Sequence, residues 1–220
     1  MHITNSIILI TSAGSLLGGA LAERFCELGA KLILVDQCPI GLKNTCQRCE
    51  IYSGQVECML MHDYSTASIE AVFTHIDNKF QHSPDVLINL WPKPDIPSII
   101  DEQPIEAFSS NISSIATTLF SFVQLCAQRM RNESKGGVVV NIIASTEPHN
   151  RKGMDHTASM VSGFTQSWAK ELTPFNIRVG GILPNASNEE EPMNELLDDV
   201  IRNTEYIVEN EYFSGRTMSA

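Results

Sequence analysis

Long apolar runs are missing from this chain. No stretch comes near the roughly 20 consecutive apolar residues that a membrane-spanning helix needs. The opening run Ser6 to Thr11 is shorter than a secretory apolar region and leads straight into a glycine-containing turn. Positive charge is scarce: 15 Lys and Arg stand against 26 Asp and Glu, a formal net charge of −11. Phosphate backbones and anionic lipid headgroups repel such a surface, so neither nucleic acid nor a membrane is expected as a partner. Low-complexity tracts and internal repeats are absent too, and 43% hydrophobic with 19% charged residues is an ordinary globular composition. A length of 220 residues suits a single domain, 1–220, with one sizeable core.

Aromatic residues are few, at 7%, and no tyrosine lies between Tyr64 and Tyr206. Cysteine is better supplied. Six cysteines in a chain that reads as unexported are expected to be reduced thiols in a cytoplasmic protein. Four of them, Cys38, Cys46, Cys49 and Cys58, share one short segment, and Cys46 and Cys49 have the C-x-x-C spacing of a metal or redox site. The simpler expectation is a helix and a strand carrying small buried thiols, with no metal.

What the chain does have is alternation. Short apolar runs at Ile7 to Ile10, Lys31 to Val35, Val56 to Met61, Val86 to Leu90, Val138 to Ile143 and Ile177 to Leu183 are separated by helical patterns. That order predicts an α/β fold, a doubly wound parallel sheet of the Rossmann type with helices on both faces. Phe108, Ile112, Ile115, Leu119, Phe122, Cys126 and Met130 recur at steps of three and four and predict a long helix over about 105–131. Val161, Phe164, Trp168 and Leu172 predict another over about 155–173, and Leu196, Leu197, Val200, Ile201 and Ile207 a last one. Glu189 to Glu211 hold nine acids and one base, which reads as an acidic, solvated outer face.

The first turn carries the chemistry. A strand, then Thr11-Ser12-Ala13-Gly14-Ser15-Leu16-Leu17-Gly18-Gly19, then a helix is the layout that aims helix N-terminal amides at a pyrophosphate. Asp36 ends the second strand 18 residues after Gly18, where a carboxylate can accept both hydroxyls of an adenosine ribose and repel a 2′-phosphate. The same residues also make sense as a tight turn with a capping Asp.

Taken together, the chain resembles the short-chain dehydrogenase/reductase family over nearly its whole length. Thr11 to Gly18 is similar to the family's T-G-x-x-x-G-x-G, Asp63 to its adenine-contacting Asp, and Leu87-Ile88-Asn89 to the start of its N-N-A-G strand. Asn111 matches its helix Asn, Gly137 to Ile142 the strand before its catalytic Ser, Ile177-Arg178-Val179 with Pro184 its I-R-V-N…P-G segment, and Ser214 to Thr217 its final turn. The resemblance implies an NAD-type cofactor on Ser12, Gly14, Leu17, Gly18, Asp36, Asp63 and Asn89.

The active residues depart from that pattern. The family's Y-x-x-x-K sets an ammonium one helical turn from a phenol and lowers its pKa. Here the window reads His156-Thr157-Ala158-Ser159-Met160, and a thioether can neither lower a pKa nor bond a ribose. The family's Ser aligns with Ala144, with Ser145 beside it, so Asn111, Ser145 and His156 form a degenerate catalytic set. Leu16 stands for the middle glycine, Leu90-Trp91-Pro92 for N-A-G, and the substrate-lid region, 185–213, is shortened.

Three expectations follow. The first is a degenerate family member with weak or no NAD binding and a binding, assembly or regulatory role. The second is an NAD(H) oxidoreductase with His156 as proton donor. The third is a hydrolase in which Ser145 and His156 act as nucleophile and base. The large residues Phe108, Ile115, Leu119, Phe122, Met130, Phe164 and Trp168 exceed what one sheet face requires, and they predict a homodimer through the two long helices.

Overall fold

The computed structural model describes residues 2–52, 55–91, 96, 97, 102, 105–143, 154–183 and 193–220. The chain alternates strand and helix throughout: β1 (Ile7–Thr11), α1 (Leu16–Glu27), β2 (Lys31–Asp36), α2 (Pro39–Cys49), β3 (Val56–Leu60), α3 (Thr66–Phe80) and β4 (Val86–Trp91) form the first half. The second half runs α4 (Ile105–Asn132), β5 (Gly137–Ile143), α5 (Met154–Leu172), a 3₁₀ turn (Thr173–Phe175), β6 (Ile177–Leu183), α6 (Met193–Glu209) and β7 (Arg216–Ser219). All seven strands pair in parallel in the order β3-β2-β1-β4-β5-β6-β7, the doubly wound arrangement that the alternation predicts. The chain winds outward from β1 to β3 and then crosses to β4 on the other side of β1. A crevice at the carboxyl ends of β1 and β4 follows from that reversal.

Successive strand residues point to opposite faces, and the core divides accordingly. Ile8, Ile10, Leu32, Leu34, Ile88 and Val140 pack under Leu17, Leu21 and Phe25 of α1, Leu42 of α2 and Val200 and Ile207 of α6. On the other face Leu9, Ile33, Leu87 and Val139 meet Phe73 of α3, Leu119 and Phe122 of α4 and Val161 of α5. Phe25, Phe73 and Phe122 are fully buried, each worth about 2 kcal/mol in transfer free energy alone.

Local chemistry sets the helix ends. Ser15 caps α1 by accepting from the Gly18 amide at 3.0 Å, and Gly29, at φ +80°, lets the chain turn back into β2. Helix α3 went unread in the sequence, although Ile69, Val72, Phe73 and Ile76 give it a buried stripe at helical spacing. Ser65 caps it.

Two expectations need correction here. Cys46 of α2 and Cys58 of β3 are joined by a disulfide, with Cα atoms 6.6 Å apart, so the six cysteines are not all free thiols. Linear spacing drew attention to Cys46 and Cys49, whereas the packing of α2 on the sheet edge brings Cys46 to Cys58. Cys26, Cys49 and Cys126 are the small buried thiols expected, and Cys38 is exposed. The second correction concerns the long helix. Ile115, Leu119, Phe122 and Met130 are buried in the protein's own core, which leaves Ile105, Phe108 and Phe120 as the exposed large apolar residues of α4. Among the described residues no helix is long and apolar enough to cross a membrane, and no group of three or more His, Cys, Asp and Glu side chains is placed to hold a metal ion.

Arg178 of β6 shows what the I-R-V segment does structurally. One guanidinium nitrogen donates to the Ile207 carbonyl at 2.7 Å and to that of Phe213 at 3.1 Å, while the other donates to Val208 at 2.7 Å. These are carbonyls at and beyond the last turn of α6, where helical partners run out and the helix dipole favours a cation. Arg178→Ala should therefore destabilise the protein by about 2–3 kcal/mol, read as a lowered urea midpoint with unchanged slope. An unchanged midpoint would show that solvent satisfies the end of α6 equally well.

Candidate functional site

The first turn is stapled to β4 before any ligand is considered. Thr11 Oγ1 accepts from the Leu90 amide at 2.9 Å, and the Ser12 hydroxyl donates to the Leu90 carbonyl at 3.1 Å. Ser12 has φ +51°, in the left-handed region that favours glycine, so this turn holds a glycine-like backbone conformation while carrying a side chain. Gly18 is required for a different reason: a Cβ there would overlap the Ser12 carbonyl oxygen. Leu17 is 1% exposed and its side chain belongs to the core, so only its backbone amide, at the start of α1, could face a ligand. Leu16 is half exposed and lines, with Ser15, Asn44 and Arg48, a surface cavity of about 560 Å³ between α1 and α2.

Asp36 is positioned as expected at the end of β2, yet its carboxylate is already engaged. Oδ2 accepts from the Gly14 amide and Oδ1 from the Cys38 amide, each at 2.7 Å, and the residue is 8% exposed. The first turn of α2 follows immediately and rests on Gly14, where a Cβ would lie 2.6 Å from the Leu42 nitrogen. Thr45, one turn further along α2, donates to the Ala13 carbonyl at 2.8 Å.

Asp63 also has local work. Its Oδ1 accepts from the Ser65 amide at 2.9 Å, from the Ser65 hydroxyl at 2.6 Å and from the Ser68 hydroxyl at 2.5 Å. These bonds to the charged form hold its pKa down at about 2 and organise the start of α3. Asn89 is 1% exposed and inside the molecule, where its amide donates to the Leu119 carbonyl of α4 at 3.1 Å. It is directly across from Asn141 of β5 in the strand register, and Asn141 in turn faces Thr165 of α5. Asn89 is thus a member of a buried polar row.

Tyr64 went unread in the sequence. It lies one residue past Asp63 and packs its ring on Trp91 at 6.3 Å and Phe122 at 6.5 Å. Burial raises its pKa, with the neighbouring Ser12 hydroxyl opposing. Its position directly after the end of β3, on the side toward β1 and β4, was the available signal.

In the catalytic window, Asn111 is partly buried in the second turn of α4. His156 is exposed near the start of α5, and Met160 is half-buried against the apolar cluster shared with α3 and α4. Thr157, between them, is fully buried. Ala144 and Ser145 lie outside the described residues, as does the 185–192 part of the lid region. The remainder of that region is chiefly α6, whose Val200, Ile207 and Val208 are core residues.

Comparison with known proteins agrees with this geometry at the level of the fold. The family model described as short chain dehydrogenase matches residues 6–197. A probable galactose dehydrogenase of Rhizobium meliloti (strain 1021) is 29% identical over 185 residues, 80% of this chain and 70% of that protein. A 3-oxoacyl-[acyl-carrier-protein] reductase of Thermotoga maritima is 25% identical over 207 residues, 93% of this chain and 82% of that one. Among solved structures, levodione reductase superposes with a TM-score of 0.82 at 21% identity, covering 98% of this chain and 96% of its own. An NAD⁺-bound xylitol dehydrogenase superposes with a TM-score of 0.83 at 16% identity, covering 100% and 98%. A family model that spans all but the two ends of the chain, on a sheet with the same winding as those enzymes, means that this protein belongs to the short-chain dehydrogenase family.

Proposed function

We propose that this chain is a catalytically degenerate short-chain dehydrogenase, with a role in binding, assembly or regulation and with weak or no affinity for NAD(H). One observation carries the reading. Where the family places an ammonium one helical turn from its proton donor, this chain has Met160, a side chain without charge or donor, packed against the apolar cluster of α3 and α4. Met160 itself supplies no cation to lower the pKa of a neighbouring donor.

Several features around the crevice support weak or no binding of a dinucleotide. Both Asp36 oxygens already accept from backbone amides, and the first turn of α2 stands against Gly14. Tyr64 and Trp91 add aromatic bulk beside Ser12. The alternative, an NAD(H) enzyme with His156 as donor, rests on Asp36, Asp63, Asn89 and Asn111. The first three also have structural hydrogen bonds that would retain them without a cofactor, which weakens their weight for that reading. The Ser145 and His156 hydrolase has no geometry to support it, because Ser145 lies outside the described residues.

We further propose that two copies associate through α4 and α5. After the core has taken its share of the stripes, Phe120 remains exposed beside Trp168, at 6.2 Å between rings, and Phe164 stacks on Trp168 at 4.9 Å. A groove of about 390 Å³ lies alongside, lined by Val123, Leu172 and Arg131 among others. Such a surface suits a self-complementary helical interface. The cytoplasmic location goes with this reading.

Calorimetric titration with NADH and NADPH tests the first proposal. No saturation in the micromolar range is expected for either, and micromolar NADH binding would overturn it. Should a dinucleotide bind weakly, the Asp36 carboxylate makes NADH the tighter of the two. Light scattering after size exclusion tests the second: a dimer at micromolar concentration is expected, and Phe120→Glu should shift it toward monomer. A wild-type monomer of 24.3 kDa would show that the aromatic groove is covered by nothing.

A further inference from the structure

The cysteine cluster that the proposed function leaves unused lies on the helix that closes the first turn. Three ties hold α2 along its length. At its start Asp36 bridges the Gly14 and Cys38 amides, and a Cβ on Gly41 would overlap the Gly14 carbonyl oxygen. In its middle Thr45 bonds the Ala13 carbonyl at 2.8 Å. Near its end Cys46 is bonded to Cys58 of β3. Only the last tie is covalent, and two electrons suffice to break it.

The sulfurs differ in access. Cys58 is on an exposed position of the edge strand, Cys46 is partly buried, and Cys49 is fully buried. Burial, with the neighbouring Cys26, pushes the Cys49 thiol up to about 12. It therefore stays protonated near neutral pH and attacks poorly, so the C-x-x-C pair does not reshuffle the bond by itself. Attack has to come from solvent, at Cys58.

We propose that Cys46–Cys58 is a thiol–disulfide exchange site at which an external dithiol releases α2 from β3 and loosens the seat of α2 on the Gly14 turn. One thiolate of the dithiol attacks the Cys58 sulfur, the protein S–S bond breaks, and Cys46 leaves as a thiolate that takes up a proton. The second thiol then attacks the mixed disulfide, Cys58 departs and is protonated, and the reductant closes its own disulfide. Two electrons and two protons pass to the protein. The reverse reaction uses a disulfide oxidant of the glutathione type. Once the bond is open, the connection between residues 46 and 58 gains chain freedom, and α2 keeps only its hydrogen bonds and packing. Any effect on ligand access at Asp36 rests on the proposed closure of that end of the crevice, whereas the exchange site itself does not.

The test is hydrogen–deuterium exchange on the full chain, oxidised, reduced with dithiothreitol, and as Cys58→Ser. Peptide mapping without reductant should find Cys46 linked to Cys58 after treatment with oxidised glutathione. On reduction, exchange across residues 12–15 and 37–49 should rise at least fivefold while α3 stays unchanged, and Cys58→Ser should match the reduced protein under both conditions. NADH titration of the oxidised form separates the two proposals: micromolar binding there overturns the closed crevice and leaves the exchange result standing. The exchange site is overturned by free thiols at Cys46 and Cys58 after oxidation, by equal exchange in both redox forms, or by a rise that extends equally to α3.

Discussion

A carboxylate that is 8% exposed has to take its stabilisation from inside the protein, and Asp36 takes it from two backbone amides, those of Gly14 and Cys38. One amide belongs to the turn after β1 and the other to the entry into α2. A single buried charge thus sets the spacing between the two elements that would form opposite walls of a nucleotide site. Much else follows from that spacing. Thr45 reaches the Ala13 carbonyl, Gly14 and Gly41 must lack side chains, and α2 is carried to the sheet edge where Cys46 meets Cys58.

A second constraint runs across the sheet. Thr11, Asn89, Asn141 and Thr165 bring polar side chains from three strands and α5 into an otherwise apolar interior, and polar groups in such a place must be partnered with one another. The Asn89 amide also holds the Leu119 carbonyl, fixing α4 over the crossover between β1 and β4. Removing one member would leave the others unpaired. This gives a physical reason for a chain to keep Asn89, and by the same reasoning Asp36, Asp63 and Arg178, whether or not any reaction takes place beside them.

The side chains around the crevice that lie outside that row are of a different kind. Met160 is half-buried in apolar surroundings, Leu16 is half exposed at the start of α1, and the Tyr64 and Trp91 rings pack at a tilt with centroids 6.3 Å apart. Their surroundings are apolar or open, whereas Asp36 and Asn89 are held by hydrogen bonds to backbone groups.

The sequence by itself determined the alternation of strand and helix, and hence the parallel sheet, because strand and helix periods are local properties of the chain. It also placed the turn from Thr11 to Gly18, the end of β2 at Asp36, and His156 and Met160 one helical turn apart, all of which are matters of residue type and spacing. Other features were decided only by the tertiary structure. Whether Asp36 and Asn89 face a crevice or the interior depends on which backbone groups come within reach after folding. The pairing of Cys46 with Cys58 in place of the adjacent C-x-x-C, and the share of the α4 stripe taken by the protein's own core, depend on how helices seat on the sheet. A period of 3.6 shows that a helix has an apolar face, and only packing shows how much of that face its own sheet covers.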